Sequence, residues 1–262
     1  MLRELLQKDK RLIETIKDHK NQNIYLYIDV MTYGFHNSQI RTYVSEIDGK
    51  ALGIVYEYFG SLQLMTFGVV SETLVNDLVG FVSLNQNKRI SGPKELIELL
   101  YKHVYAKYAI TQGYIMKYTG EKAEISEETS FADAKDFPEI ADLICNDRNL
   151  GKGYDYENIL NQLILRYNYE ECENMIIRHN GKIVSHVASY AVLPELVIVS
   201  GMVTAPSYRN LGYGSKLIRS FSSYLYQTGK LPVLYCYEEE YHSWYAKLGY
   251  DDIGLSAKLE LI

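Results

Sequence analysis

Apolar and polar positions along the chain follow two rhythms, one near 3.6 residues and one of two. Within residues 3–19, Leu5, Leu6, Leu12, Ile13 and Ile16 share one face of an expected amphipathic helix. Residues 24–30 read as a strand, and 41–47 as another that ends at the turn Asp48-Gly49-Lys50. Residues 51–59 and 62–67 form a hairpin around Gly60-Ser61, and Ser71 is placed to cap a helix over 72–83. A short strand closes at Ile90-Ser91-Gly92-Pro93 and opens a helix to about 105, after which 108–118 is strand-like again.

Residues 119–129, TGEKAEISEET, are polar and acidic and read as a linker, with room for an edge strand in their middle. The second half then repeats the logic of the first. A helix capped by Asp133 runs over 134–146, and another covers 157–167. A strand at 174–179 reaches the turn Asn180-Gly181-Lys182, and 183–191 and 196–204 form a hairpin around Pro194. A glycine-rich turn, a helix over 213–227, a strand over 232–237, a helix over 240–248 and closing strands complete the pattern. Two features suggest an internal duplication. Asp48-Gly49-Lys50 matches Asn180-Gly181-Lys182, each before an apolar hairpin, and a strand runs straight into a helix at 90–102 and again at 234–247. The expected domains are therefore 1–126 and 127–262.

Composition narrows the class. At 262 residues the chain holds one large or two small domains, and 47% hydrophobic with 23% charged residues excludes wholesale disorder. The longest apolar stretch, 183–203, contains His186, Pro194 and Glu195, so it reads as two strands and a turn and not as a membrane span. Residues 1–20 are dense in charge and lack the apolar core of a secretory signal. Cys145, Cys172 and Cys236 form no CxxC pair, which suggests reduced thiols in a cytoplasm and no metal site. Lys plus Arg is 27 against 33 Asp plus Glu, a net charge of -6, which argues against a nucleic-acid partner. The 25 tyrosines do not cluster with Lys or Arg as a base-stacking surface would require, and they read as a bias of the source genome.

The stretch that carries chemistry is 201–215, GMVTAPSYRNLGYGS. It follows an apolar strand and precedes a helix whose Leu217, Ile218, Phe221 and Leu225 share a face. Gly212 and Gly214 at the entry to that helix let backbone N–H groups converge without side-chain obstruction. The helix N-terminus adds unpaired donors and partial positive charge, so the turn suits a pyrophosphate. A tight strand-to-helix turn with no ligand is the structural alternative. A dinucleotide fold fits less well, because position 217 is Leu where G-x-G-x-x-G wants its third glycine.

Arg209-Asn210-Leu211-Gly212-Tyr213-Gly214 resembles the R/Q-x-x-G-x-G/A signature of the GCN5-related N-acetyltransferases, the GNAT family. Val203-Thr204-Ala205-Pro206 resembles the strand exit before it, and Trp244-Tyr245-Ala246-Lys247-Leu248-Gly249-Tyr250 resembles the Tyr-x-Lys-Leu-Gly-Phe segment after it. The resemblance covers about residues 127–262. It implies an α/β fold, a twisted mixed sheet flanked by helices, with a smaller, degenerate GNAT-like copy in the N-terminal half. It further implies acetyl-CoA in a V-shaped gap between two splayed parallel strands, 196–204 and 232–237. Backbone groups of Met202, Val203 and Thr204 would pair with the pantetheine arm. Arg209, Asn210, Leu211, Gly212, Tyr213, Gly214 and Ser215 would hold the pyrophosphate through their amides.

The same resemblance makes Tyr245 the general acid that protonates the leaving thiolate, with packing as its structural alternative. The family often has a glutamate on the strand before the signature. Residues 196–200 carry no carboxylate, which leaves Glu195 at the strand start and Glu238 beyond the other strand as candidate bases. The run Glu238-Glu239-Glu240 also reads as a solvated helix start. His186 and His242 are candidate relays or structural histidines, and Cys236 reads as a small core residue. The N-terminal half lacks an R-x-x-G-x-G turn, reads VVSETLVNDLVG in its place, and is expected to serve as a lid, substrate wall or docking platform. The expected activity is transfer of acetyl to a primary amine by direct attack, on a small polar or cationic molecule. A non-catalytic acyl-CoA sensor, a protein or peptide N-acetyltransferase, and a transferase of longer acyl groups are the alternatives. A homodimer is left open.

Overall fold

The computed structural model describes all residues except Met1, Phe59, Gln86, Lys88, Glu121, Asn149, 152–154, 170 and 171. In chain order the first elements are β1 (Arg3–Glu4), α1 (Lys10–Asp18), α2 (Ile24–Tyr33), β2 (Ile40–Ile47), β3 (Lys50–Tyr58), β4 (Ser61–Thr66), α3 (Glu72–Leu84), β5 (Arg89–Pro93), α4 (Lys94–Val104) and β6 (Tyr108–Tyr118). There follow β7 (Thr129–Phe131), α5 (Phe137–Cys145), α6 (Tyr156–Tyr169), β8 (Asn174–His179), β9 (Lys182–Leu193), β10 (Leu196–Thr204), α7 (Tyr213–Gln227), β11 (Leu231–Cys236), α8 (Glu239–Ala246) and β12 (Tyr250–Leu261). Most of the expected elements are present. Phe59, expected to end a strand, lies outside the described residues.

Two expectations near the N-terminus change. The helix expected over 3–19 begins only at Lys10, because the Asp9 carboxylate accepts from Leu12 N–H at 3.0 Å and caps it. Arg3 and Glu4 instead pair with Val44 and Tyr43 of β2. The strand expected over 24–30 is α2. Asn23 caps it by accepting from Leu26 N–H at 3.0 Å, while its Nδ2 donates to Leu64 O at 3.0 Å. Ile24, Leu26, Tyr27, Ile28 and Val30 are all buried, and so is Asp29, the one charged residue among them, so the run shows no polar stripe at a helical period.

By contacts the chain divides into two units, each discontinuous in sequence. The first holds Met1–Ile115, Cys236–Glu239 and Ile253–Ile262, and the second Met116–Tyr235 and Glu240–Asp252. A single cut at 126/127 assigns all of 127–262 to one half. Residues 253–262 nevertheless go with the first unit, where Ser256–Glu260 pair antiparallel with Arg89–Pro93 of β5. The first unit's strands run in the order β1-β2-β3-β4-β5-β12-β6. Leu74, Leu78 and Val82 of α3 and Leu96, Ile97 and Leu100 of α4 pack on Val55, Leu62, Leu64 and Ile90 of its sheet.

The second unit has the order β11-β10-β9-β8-β7. Phe137, Ile140 and Ile144 of α5 and Ile159 and Leu163 of α6 cover one face, over Ile176, Ile183 and Val203. Along α7, Leu217, Ile218, Phe221 and Leu225 are fully buried, as their shared face predicts. The linker segment lies along this helix, where Ala123 N–H and Ser126 N–H donate to the hydroxyls of Ser223 and Ser220 at 2.8 and 3.1 Å.

The two units repeat one topology: two helices, a three-stranded antiparallel meander, a helix, a parallel strand, a helix. Their matching hairpin turns share a geometry. Asp48 and Gly49 have φ of 49° and 74°, and Asn180 and Gly181 of 51° and 80°, the paired positive values of a type I′ turn. The parallel pairs also correspond: Ser61–Gln63 align with Arg89–Ser91, and Leu196–Ile198 with Leu231–Val233. Among the described residues no helix is long and apolar enough to cross a membrane.

Candidate active site

The second unit concentrates its irregular backbone on β10. Parallel pairing with β11 covers Leu196–Ile198 against Leu231–Val233 and then stops, although β10 runs on to Thr204. The register with β9 also breaks twice beyond that point. Ile198 faces Ala191 but Val199 faces Ser189, which leaves Tyr190 as an extra residue on β9. Ser200 faces Ala188 but Val203 faces His186, so Gly201 and Met202 together oppose Val187. The two bulges compensate, and the normal register returns at Val203 and Thr204.

Gly201 sits in the second bulge with φ 64°, the left-handed region that suits glycine. A Cβ there would lie 2.8 Å from the Tyr190 hydroxyl and 3.3 Å from His186 Cε1. His186 is fully buried. Its Nδ1 is 2.9 Å from Gly201 O and its Nε2 2.9 Å from Asn174 Oδ1. Burial lowers its pKa to about 4, against the opposing pull of the Gly201 carbonyl bond, so the ring is neutral at physiological pH.

Beyond Thr204 the chain turns through a short 3-10 segment, Pro206–Tyr208, into the glycine-rich loop. Arg209 staples this loop. Its Nε donates to Thr204 O at 3.0 Å and its Nη2 to the Asp147 carboxylate at 2.6 Å. Asn210 and Gly212 both adopt left-handed backbone, with φ of 60° and 87°. Gly212 is the N-cap of α7, and no side chain bonds the cap. The first backbone bond back into this turn is Lys216 N–H to Gly212 O at 3.0 Å, so the amides before it point out of the helix end. A Cβ on Gly212 would meet nothing within 4 Å, which means the space in front is open. Gly214 is the opposite case: a Cβ there would lie 3.2 Å from both Met202 Cε and Thr204 Oγ1. The lack of a side chain lets the helix start approach the end of β10.

Trp244 ties α8 to the same helix end, donating Nε1–H to Ser215 Oγ at 2.9 Å. Tyr245 packs on Trp244 with ring centroids 4.7 Å apart and on Tyr250 at 5.7 Å. Tyr250 is buried, its hydroxyl 2.6 Å from Ser222 Oγ, and burial raises its pKa. Tyr208, Tyr213 and His179 form a second aromatic group beside the loop, with Tyr213 Oη 3.0 Å from His179 Nδ1.

The structure thus brings together Met202, Thr204, the run 209–215 and, through Trp244, Tyr245. Glu195 is exposed in the turn before β10, and the nine residues of that strand, at about 3.3 Å each, separate it from the loop. Glu238 is exposed and groups by contacts with the first unit. Cys236 is buried, and its thiol donates to Glu238 O at 3.3 Å. His242 faces Asp252, with Nε2 at 2.9 Å from Oδ1. Tyr190 and Asn174 also belong to the network around His186 and Gly201, although neither lies in a motif. The available signal was Gly201 itself, since a glycine inside a strand marks a bulge.

The matching end of β4 in the first unit is built differently. β3 and β4 pair without interruption from Gly53/Thr66 to Tyr58/Ser61. A Cβ on Gly92 of β5 would lie 2.9 Å from Leu64 O, so β4 and β5 stay close beyond their three aligned pairs. Ser71 caps α3 by accepting from Leu74 N–H at 3.2 Å, and Glu72 puts a negative charge in its first turn. A capped, negatively flanked helix end repels a phosphate where the α7 end attracts one.

Residues 138–250 match the family model described as the acetyltransferase (GNAT) family. Among solved structures, a Drosophila protein is 12% identical with a TM-score of 0.66, over 100% of this chain and 98% of its own. A tandem GNAT protein from the clavulanic acid biosynthesis pathway is 10% identical with a TM-score of 0.63, over 99% of this chain and 98% of its own. A GNAT-family acetyltransferase from Colwellia psychrerythraea is 11% identical with a TM-score of 0.59, over 100% of both chains. At these identities the likeness is one of fold. No curated protein matches the chain.

Proposed function

From a C-terminal half that is a GNAT domain, we propose that the protein is an N-acetyltransferase that moves an acetyl group from acetyl-CoA to a primary amine. The observation that carries this reading is the uncapped α7 end, reached through two left-handed residues, beside a strand that has lost its parallel neighbour. The open space before Gly212 and the outward amides fit a diphosphate. Arg209 serves the loop and not the ligand, since its guanidinium is committed to Thr204 O and Asp147.

Acetyl-CoA supplies the activated acyl group as a thioester. The amides of 210–215 bind its diphosphate, and the β10 edge from Val199 to Thr204 offers backbone groups to the extended pantetheine arm, as an added strand would. Backbone N–H groups of the bulge provide donors for a carbonyl oxygen that gains charge. Tyr245 carries the proton to be delivered to sulfur, and its ring is held from two sides by Trp244 and Tyr250. Glu195, in the turn before β10, lies toward the thioester end of that strand and not its diphosphate end, and it remains with Glu238 a candidate base for the acceptor amine. The net charge of -6 favours a small polar or cationic acceptor over an anionic one.

The test is release of free CoA thiol from acetyl-CoA against polyamines, amino acids, aminoglycosides and peptides with free N-termini. We expect amine-dependent release, with Tyr245→Phe lowering turnover while leaving acetyl-CoA affinity within about two-fold. Tight acetyl-CoA binding with no turnover on any acceptor, and no effect of Tyr245→Phe, would refute catalysis and favour a sensor.

A further inference from the structure

His186 stands on the sheet face covered by α5 and α6, between its cross-strand neighbours Ile176 and Val203. A polar ring in such a layer is costly unless both nitrogens are satisfied. Gly201 O can only accept, so in the neutral ring Nδ1 carries the proton and donates to it. Nε2 is then an acceptor, which requires the Asn174 amide, placed with Oδ1 at 2.9 Å, to be flipped so that Nδ2 donates. The carbonyl so bound belongs to the bulge, where β9 has one residue, Val187, opposite Gly201 and Met202. On its other side the parallel pairing of β10 with β11 ends at Ile198. The stretch has lost regular pairing on both edges, and the imidazole supplies a bond from behind.

We infer that His186 is a positioning residue: its Nδ1–H holds the Gly201 carbonyl and thereby sets the direction of the bulge backbone groups that receive the thioester end of acetyl-CoA. This rests on the coenzyme reading above. Asn174 orients the ring, and Tyr190, whose hydroxyl lies 2.8 Å from where a Gly201 Cβ would be, closes the bulge beside it.

The test is calorimetric titration of the full chain with two probes. One is acetyl-CoA. The other is 3′-phosphoadenosine 5′-diphosphate, which carries the diphosphate without the pantetheine arm. His186→Leu puts an apolar side chain of similar size in this layer and removes the donor. It is expected to raise the acetyl-CoA Kd about ten-fold, the effect of one lost buried hydrogen bond. The nucleotide Kd stays within about two-fold. His186→Asn places Nδ2 near the position of Nδ1 and is expected to keep the acetyl-CoA Kd within about three-fold of wild type. A packing role reverses the order, with Leu tolerated and Asn harmful, and that result overturns the inference. If the Leu variant fails to fold, by circular dichroism, the wild-type protein decides through 15N-histidine NMR. A neutral ring protonated at Nδ1 at pH 6 supports the inference, and a charged ring or an Nε2–H tautomer overturns it. Wild-type protein that binds neither probe refutes the coenzyme reading itself, a result distinct from a Leu variant that binds both normally.

Discussion

Replacing Gly201 by alanine adds one methyl group to the back of the β10 bulge. Two costs follow. The backbone, at φ 64°, lies where an L side chain is disfavoured by about 1–2 kcal/mol. The new Cβ would also lie 2.8 Å from the Tyr190 hydroxyl, 3.2 Å from its Cζ and 3.3 Å from His186 Cε1. Overpacking of this kind costs about 1–3 kcal/mol. The expected total is about 2–5 kcal/mol, and at about 3 °C per kcal/mol the thermal midpoint falls by roughly 6–15 °C. The nearest atom is a single hydroxyl, so the steric share can be isolated. In a Tyr190→Phe background the closest approach relaxes to 3.2 Å, and Gly201→Ala should then cost about 1–2 kcal/mol less. Gly212→Ala is the control: φ is 87° with nothing within 4 Å, so it carries strain without a clash and is indifferent to Tyr190→Phe. The assay is scanning calorimetry of wild type, the three bulge variants and the two control variants. An equal cost of Gly201→Ala in both backgrounds would refute the reasoning, because the hydroxyl would then not be what the methyl group meets.

Two further outcomes are expected. A histidine whose pKa is about 4 when folded and about 6.5 when unfolded binds fewer protons in the native state between those values. Its contribution is therefore complete above pH 6.5 and is lost as pH falls toward 4, by about 3 kcal/mol in all. Denaturant titrations of wild type and His186→Asn from pH 4 to 7.5 measure it, and parallel pH profiles would count against the buried neutral ring. Arg209→Ala removes both staples of the glycine-rich loop and should weaken acetyl-CoA binding about 5- to 30-fold. Asp147→Asn should do so less, since the bond to Thr204 O survives. Unchanged affinity in both variants would show that the loop holds its shape without them.

Sequence pattern was most informative where side chains alone decide local structure. Ser71 caps α3 as its type predicts, Asp133 caps the 3-10 turn Ala134–Asp136 that leads into α5 and not α5 itself, and Leu217, Ile218, Phe221 and Leu225 bury the face their spacing defines. Asp48-Gly49 and Asn180-Gly181 make the same turn because few residue pairs tolerate two consecutive positive φ values. The loop of 209–215 was legible for the same reason, through Gly212. Pattern failed at α2, where burial of nearly every position from Ile24 to Val30 masks the helical period, and at 3–4, where β2 recruits the chain into a strand. It also could not see the bulge network. Tyr190, His186 and Gly201 are scattered along a hairpin, and only the double register shift brings them together. The separation of Glu195 from the loop is likewise a fact of strand length, invisible in a motif.

The placement of β12 between β5 and β6 bears on how the molecule is made. During synthesis the first sheet cannot finish until residues 253–262 have left the ribosome, long after its other strands are available. Until then β5 and β6 bracket a gap with exposed backbone donors and acceptors, a natural docking point for chaperones and a hazard for strand exchange with a neighbouring nascent chain. Expression of 127–262 alone would carry an orphan strand, and 1–126 alone an unfilled slot. The two halves are obliged to mature as one molecule.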